Sequence, residues 1–142
     1  AIKGFLDKLA NFGKQFGYIK TFPPYNRRRW FVNWFPKMYN SRENSQELSS
    51  IERASKNTPI QGASADMTKK ALILIRNYIG TNDDAPVKIV MTVHDQIDTI
   101  CSIDYAPDWV RLMTELMENA ALEIVTNGLL KADTNISKSW EK

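Results

Sequence analysis

Cysteine, histidine and long hydrophobic runs are all scarce in this sequence of 142 residues. The single cysteine, Cys101, cannot form a disulfide within the chain, and such usage is typical of a reducing compartment such as a cytoplasm. No apolar run approaches the roughly 20 residues that span a bilayer, and no signal-peptide pattern is visible. We therefore expect one soluble globular domain, or part of one, with no membrane partner.

The net charge of +3 conceals an asymmetry along the chain. Residues 1–42 contain nine lysines and arginines against one acid, a charge of +8, whereas residues 43–142 carry a charge of −5. A basic segment with aromatic residues, joined to an acidic remainder, favours a polyanion lying across one end of the molecule. For the lysines of the first predicted helix, a plain solvated face is the simpler interpretation.

The chain is organised around two apolar runs, Ile89–Val93 and Ile97–Ile100, which flank the polar triplet His94–Gln96. Both runs are rich in Ile, Val and Thr, so the pattern predicts a β-hairpin over Lys88–Ser102. The turn has no glycine, although Asp tolerates left-handed conformations better than most residues. At the tip of such a stiff support, Asp95 suits magnesium, which needs well-placed hard oxygen ligands. A plain solvated turn is the alternative.

Periodicity and helix-boundary residues predict the remaining elements. Apolar spacing near 3.6 residues predicts helices, and runs of β-formers predict strands. Thr58 before Pro59 is a good helix start, since a hydroxyl cap precedes proline at the first helical position. The expected elements are a helix at Ile2–Phe16 that stops at Gly17, a short strand or an extended segment at Tyr18–Phe22, helices at Ser41–Lys56, Ile60–Tyr78 and Pro107–Thr126, and a final strand at Leu129–Ile136.

Three arginines, Arg27–Arg29, precede an aromatic run that contains Trp30 and Trp34. Arginines bind phosphates and aromatic rings stack on bases, so the run has the chemistry of a nucleic-acid contact. The alternative is that the aromatic side chains are core anchors and that the arginines cap a neighbouring element. The small residues of Gly62–Ala65 leave room on a helix for a close approach, by a partner helix or by a nucleic-acid groove.

Two stretches, Glu52–Asp66 and Val93–Asp95, stand in an informative order. The first contains Arg-x-x-x-Asn-x-x-x-Gln-Gly-x-x-Ala-Asp and the second reads Val-His-Asp. Together they resemble the C-terminal part of family A DNA polymerases, the DNA polymerase I group, in which the second lies on a palm hairpin called motif C. Gly17–Phe22 with Arg27–Arg29 resembles that family's Gly-Tyr-x-x-Thr-x-x-Gly-Arg-Arg segment, and Trp140 resembles a tryptophan near its C-terminus.

The resemblance implies roles for individual residues. Asp95 matches the motif C aspartate, a ligand of catalytic Mg²⁺, and His94 matches a histidine beside the primer terminus. Arg53, Asn57 and Gln61 match residues that contact primer and template in the minor groove. Since minor-groove acceptors lie at similar places in every base pair, such donors sense pair shape rather than sequence. Without the resemblance, helix-end hydrogen bonding is the preferred interpretation for the first two.

The sequence also departs from the family. Gln96 stands where the family has glutamate, which removes a negative charge near the metal but keeps an oxygen acceptor. Asn26 stands in place of the glycine before Arg27–Arg29, and Pro59 is expected to divide the three minor-groove residues between two helices. Phosphoryl transfer by two metals needs a second carboxylate. The family's upstream Asp-x-Ser-x-x-Glu motif and its nucleotide-binding fingers helix are not found in this sequence.

The resemblance implies an α+β fold, with an antiparallel palm hairpin and a C-terminal strand packed against long helices. Residues 1–56 would be a basic, fingers-derived segment and residues 57–142 the palm with motif C. The implied function is that of the C-terminal part of a DNA-directed DNA polymerase, either a fragment or one subunit of a split enzyme. It would use Mg²⁺, primer–template DNA and a dNTP once assembled with an upstream polymerase chain; alone it would be inactive and prone to self-association. A non-catalytic DNA-binding or assembly module is the alternative.

Overall fold

A computed structural model describes residues 1–36, 44–81 and 85–139 of the chain. Within these ranges the protein has three α-helices and two antiparallel two-stranded sheets, which confirms the expected α+β class. The elements are α1 (Ile2–Phe16), β1 (Tyr18–Lys20), β2 (Arg28–Trp30), α2 (Ser45–Thr81), β3 (Val87–Val93), β4 (Gln96–Cys101) and α3 (Ala106–Leu122). The chain divides into two compact units, Ala1–Ala63 and Ser64–Lys142, and the division falls within α2.

In the first unit, α1 follows the amphipathic pattern of its sequence and ends where expected. Gly17 adopts the left-handed conformation (φ 75°), and its N–H donates to the Gly13 carbonyl oxygen, as a helix C-cap requires. Strands β1 and β2 follow, with Tyr18 opposite Trp30. A Cβ on Gly13 would overlap the Ser55 hydroxyl. Helix α1 therefore packs on α2 at a point where a side chain larger than glycine's does not fit.

Helix α2 runs without a break through Pro59, so the predicted helix end before this residue is wrong. Proline lacks an N–H, and its ring crowds the carbonyl of the residue four positions earlier, here Ser55. Both residues are almost completely enclosed, and packing of this kind overrides local propensity. Buried positions recur every four residues along this part of the helix, at Ile51, Ser55, Pro59 and Ala63.

The second unit packs the β3–β4 hairpin and α3 around an apolar core with the C-terminal part of α2. The Trp109 indole N–H donates to the Thr99 hydroxyl at 2.7 Å, which satisfies the buried indole and ties α3 to β4. The helix predicted at Pro107–Thr126 is confirmed, except that it ends at Leu122. The buried core residues are Ala71, Ile75, Val87, Ile97, Trp109, Met113 and Ala120.

A β-bulge at Val90 interrupts the ladder between β3 and β4. Ile89 pairs with Thr99 and Met91 pairs with Asp98, so Val90 has no partner on β4. The extra residue reverses the alternation, because cross-strand partners share a face. The side chains on the face opposite the core, called here the outward face, are Lys88, Met91, Val93, Gln96, Asp98 and Ile100.

The predicted C-terminal strand at Leu129–Ile136 is wrong, since this segment has no strand pairing. Its polar groups bond to α3 instead of to another strand. The Lys131 ammonium lies 2.9 Å from a Glu118 carboxylate oxygen, and the Thr114 and Thr134 hydroxyls lie 2.8 Å apart. Helix side chains provide no ladder of backbone donors and acceptors, so an extended segment beside a helix forms no sheet.

Two predictions fall outside the described residues: the packing of Trp140 and the first residues of the helix predicted from Ser41. Among the helices that the structure describes, none combines the length and the apolar content that crossing a membrane demands.

Candidate functional site

The second unit presents His94 and Asp95 at the tip of the hairpin. Val93 pairs with Gln96, so the turn has only these two central residues, and both are exposed. His94 takes a left-handed conformation, with φ 55°, which is uncommon for a residue with a Cβ. Held strain of this kind clusters at functional sites. The predicted hairpin is confirmed, and it projects the Asp95 carboxylate into solvent from a short, closed turn.

Gln96 is held by a residue that the sequence analysis missed. Its Nε2 donates to Asp98 Oδ1 at 2.7 Å, and both side chains lie on the outward face of β4. This hydrogen bond favours the amide orientation with nitrogen toward Asp98, because the flipped form would place the amide oxygen against the carboxylate. The amide oxygen of Gln96 therefore stays available beside the turn. The i, i+2 spacing of two polar residues on one strand is the signal that could have found the pair.

The atoms at this tip can be compared with the ligands that magnesium prefers. The Asp95 carboxylate and the Gln96 amide oxygen are both hard oxygen donors of the kind that Mg²⁺ prefers. Within residues 1–36, 44–81 and 85–139, however, no three His, Cys, Asp or Glu side chains gather into a group that could hold a metal. A magnesium ion held at this tip would therefore need ligands beyond these two oxygen donors.

The first unit contains the three minor-groove candidates, Arg53, Asn57 and Gln61. Because α2 is continuous through Pro59, their i, i+4, i+8 spacing places them along one side of a single helix. All three are exposed, and they lie on the side of α2 away from the buried stripe. The structure thus brings together residues that we expected to be divided between two helices. It leaves their donor groups facing solvent.

A surface pocket of about 370 Å³ lies where β2 meets α2 in the first unit. All three predicted arginines, Arg27–Arg29, line it, together with Gln61. Thr21, Thr58 and Gly62 complete the wall. Of the minor-groove candidates, Gln61 alone joins this pocket. Glycine is needed at position 62, because a Cβ there would overlap the Thr21 methyl group.

Each arginine of the pocket is positioned differently. The backbone N–H of Arg27 donates to the Thr21 hydroxyl at 3.0 Å. The Arg28 guanidinium lies over the Tyr18 ring, 5.2 Å from its centroid, and Arg29 Nη1 donates to the Thr58 hydroxyl at 3.0 Å. Thr58 is therefore an arginine acceptor within the helix rather than the helix cap that we predicted. A planar guanidinium held in place is well suited to phosphate.

The two candidate stacking residues have different environments. The Trp34 indole N–H donates to the Lys14 carbonyl oxygen at 2.8 Å, and its ring lies where a Cβ on Gly17 would be. Trp34 is thus a packing anchor, as the alternative interpretation proposed. Trp30 has 60% of its surface exposed, and so remains a candidate for contact with another molecule.

Comparisons with known proteins point to one family and cover nearly the whole chain. The sequence profile described as DNA polymerase family A matches residues 1–142. The chain is similar to DNA polymerase I of Borreliella burgdorferi (31% identical over 139 residues) and to that of Geobacillus stearothermophilus (30% over 139 residues). It is 24% identical over 141 residues to DNA polymerase I of Chloroflexus aurantiacus. These matches cover 98–99% of this chain but only 14% of each relative's length.

Proposed function

The chain belongs to DNA polymerase family A, and we propose that it forms the C-terminal palm piece, with part of the fingers, of a DNA-directed DNA polymerase. Family membership rests on the match over residues 1–142. The observation that best supports a catalytic role is the exposed Asp95 carboxylate at the tip of a two-residue hairpin turn. Because the chain spans 14% of the length of its relatives, the activity of the whole polymerase is part of the proposal.

In this proposal, Asp95 holds one catalytic Mg²⁺ and His94 lies beside the primer terminus. When bound, the metal activates the primer 3′-hydroxyl and stabilises charge on the transferring phosphoryl group. The chain's own contribution is positional, since a short turn on a paired hairpin fixes where the carboxylate points. In the same proposal, a second carboxylate and the dNTP-binding residues come from an upstream polymerase chain or segment, since the family's upstream Asp-x-Ser-x-x-Glu motif and its nucleotide-binding helix are not found in this sequence.

We assign DNA contacts to the first unit. The exposed side of α2 with Arg53, Asn57 and Gln61 offers donors for the minor groove. The pocket lined by Arg27–Arg29 offers guanidinium groups for backbone phosphates. Gln61 is shared by both surfaces, which supports one continuous primer–template contact.

A non-catalytic DNA-binding or assembly module is the second candidate. Two features of the sequence favour it: Gln96 stands where the family has a glutamate, and the family's upstream motifs are not found. Both candidates share the DNA-binding surface, so only the role of Asp95 separates them.

Reconstitution separates these two functions. The chain is mixed with an upstream family A polymerase segment that carries the second aspartate, and primer extension is measured. We expect Asp95→Ala to lower extension by at least 100-fold, roughly the loss that follows from about 3 kcal/mol of missing transition-state stabilisation. Asp104→Ala, at an exposed acid of the same unit, is the matched control and retains activity. Equal extension by both variants would refute the catalytic assignment.

DNA affinity is tested separately with the chain alone. We expect the triple change of Arg27, Arg28 and Arg29 to Ala to weaken duplex binding and to flatten its salt dependence, by about 0.9 in log–log slope for each phosphate that is no longer neutralised. A variant with Lys3, Lys8 and Lys138 changed to Ala loses the same charge at exposed positions and is the control. Identical slopes for the two variants would remove the arginine pocket from the DNA-binding surface.

A further inference from the structure

The β1–β2 ribbon of the first unit presents an aromatic ring to solvent. All three residues of β2 are exposed, and Trp30 keeps 60% of its surface open. Tryptophan is the largest apolar side chain and is usually well buried. A tryptophan left this open is therefore a candidate binding surface rather than a packing element.

Neighbouring side chains hold the ring in place. Its centroid lies 4.9 Å from that of Tyr18, its cross-strand partner, and the Tyr18 ring rests edge-on against Phe12 of α1. The Arg28 guanidinium lies 5.9 Å from the Trp30 centroid as well as 5.2 Å from that of Tyr18. A ring supported in this way loses little conformational entropy when a flat ligand stacks on it.

Positive charge surrounds this ring. Arg27–Arg29 line the 370 Å³ pocket, and Arg29 and Trp30 together line a second pocket of about 390 Å³ on the same unit. A flat apolar ring flanked by guanidinium groups matches a nucleotide, which combines an aromatic base with an anionic phosphate.

We propose that Trp30 is a stacking site for an unpaired base of single-stranded DNA, with the flanking phosphates held by Arg27 and Arg29. In a duplex each base is covered by its neighbours, so only an unpaired base offers a free face to the ring. This inference rests on the proposed function for its phosphate contacts, and it adds a ligand that the minor-groove and metal residues do not bind. The occupant is the single-stranded part of a primer–template.

The test compares two oligonucleotides of equal length and charge, one of thymidines and one of abasic sites, in binding to the full chain. We expect the wild-type protein to bind the thymidine strand roughly 5-fold or more tightly, as one stacked base gives. Trp30→Ala should bind both strands equally, and Trp30→Phe should keep part of the preference. Ile2→Ala, at an apolar residue of α1 that is 77% exposed, is the control and should keep the full preference.

Failure of this inference is distinguishable from failure of the phosphate assignment. Changing Arg27 and Arg29 to Ala should weaken both strands by the same factor and leave the thymidine preference intact. A wild-type protein that binds both strands equally, or a Trp30→Ala variant that keeps the preference, overturns the stacking site. In either case the arginine effect would still report on phosphate binding. No measurable binding of either strand overturns both.

Discussion

Gln96 and Asp98 share the outward face of β4, and the hydrogen bond between them decides which atom of Gln96 remains available. Asp98 accepts from the amide nitrogen at 2.7 Å, so the carbonyl oxygen is left beside the turn that carries Asp95. One buried oxygen of Asp98 has no hydrogen-bond partner within the described residues. A glutamate at position 96 would therefore place a second carboxylate against that of Asp98 and remove the donor that Asp98 now has.

This pair yields a prediction about restoring the family's glutamate. We expect Gln96→Glu to lower the free energy of unfolding at pH 7 by roughly 0.5–1 kcal/mol, because two like charges would lie on neighbouring positions of one face. In the double variant with Asp98→Asn, the new glutamate accepts from the asparagine amide and the loss disappears. Urea denaturation of the single and double variants measures the coupling. Additive effects of the two changes would contradict the contact.

Two glycines of α1 give opposite expectations. Gly13→Ala should destabilise the protein by roughly 1–3 kcal/mol, because its Cβ would overlap the Ser55 hydroxyl of α2 and force the helices apart. Gly4→Ala meets no atom within 4 Å and should stabilise the same helix by about 0.5–1 kcal/mol. Thermal unfolding of both variants checks the pair. Equal shifts in Tm of the same sign would show that α1 does not approach α2 closely.

Residue patterns predicted the position of the hairpin but not its details. Runs of β-formers on both sides of His94–Gln96 were sufficient to locate the turn, because strand propensity and turn polarity are local properties. The bulge at Val90 and the contact from Gln96 to Asp98 depend on cross-strand register, which no local pattern specifies. The open ring of Trp30 and the enclosed ring of Trp34 follow from tertiary packing in the same way.

At the level of elements, α2 shows where a helix boundary rule fails. Thr58-Pro59 has the form of a helix start, yet the helix continues because Pro59 is buried in a stripe with Ser55 and Ala63. The rule considers only the helical hydrogen bond that proline cannot donate. The burial of Pro59 depends on residues that are far away in the sequence, so no local pattern predicts it. Helix α1 was predicted to the residue because its periodicity and its glycine cap agree.

An ion-pair network joins α1 to α2 in the first unit. Lys56 and Lys14 both contact Glu52, at 2.6 and 3.3 Å, and Lys56 also approaches Asp7 at 3.7 Å. Hydrogen bonds from Lys56 and Lys14 hold the pKa of Glu52 below its usual range. Lys14 is therefore part of this network rather than a purely solvated lysine.

The Glu52 network gives a pH-dependent prediction. Since its folded-state pKa is lowered, the carboxylate contributes stability above its unfolded-state pKa of about 4.3, and this contribution is lost as the pH falls through the lower folded value. Glu52→Gln should cost less than about 1 kcal/mol at pH 7, because the side chain is 38% exposed. The cost should vanish in acid and shrink at high salt. Glu115→Gln, at an exposed acid of α3, is the matched control for the loss of one carboxylate.

For the whole molecule, the main feature is an apolar surface that remains open. On the outward face, Met91, Val93 and Ile100 keep 37%, 40% and 64% of their surfaces exposed, and Val90 of the bulge keeps 57%. Clustered exposure of this kind marks an interaction surface. We propose that the upstream part of the palm covers it in the assembled polymerase, which agrees with the 14% share of the relatives that this chain spans.

Self-association of the chain alone tests this surface. We expect sedimentation analysis to show association that rises with protein concentration, and Ile100→Lys to shift the chain toward monomer. Ile2→Lys, at a residue that is 77% exposed on α1, changes charge and apolar area similarly and should leave association unchanged. A monomer at every concentration, or equal effects of the two variants, would show that the outward face is not a docking surface.

The extra residue Val90 shifts the alternation of side chains along β3. Val87 and Ile89 point to the core, but Met91 and Val93 point away from it, because one strand counts a residue more than the other. Deleting Val90 would remove the extra residue and leave a regular ladder, in which Met91 still pairs with Asp98 and Val93 still pairs with Gln96, both pointing away from the core. The side of the ribbon on which the tip lies is therefore set by register against β4, and not by the number of residues that precede Asp95 on β3.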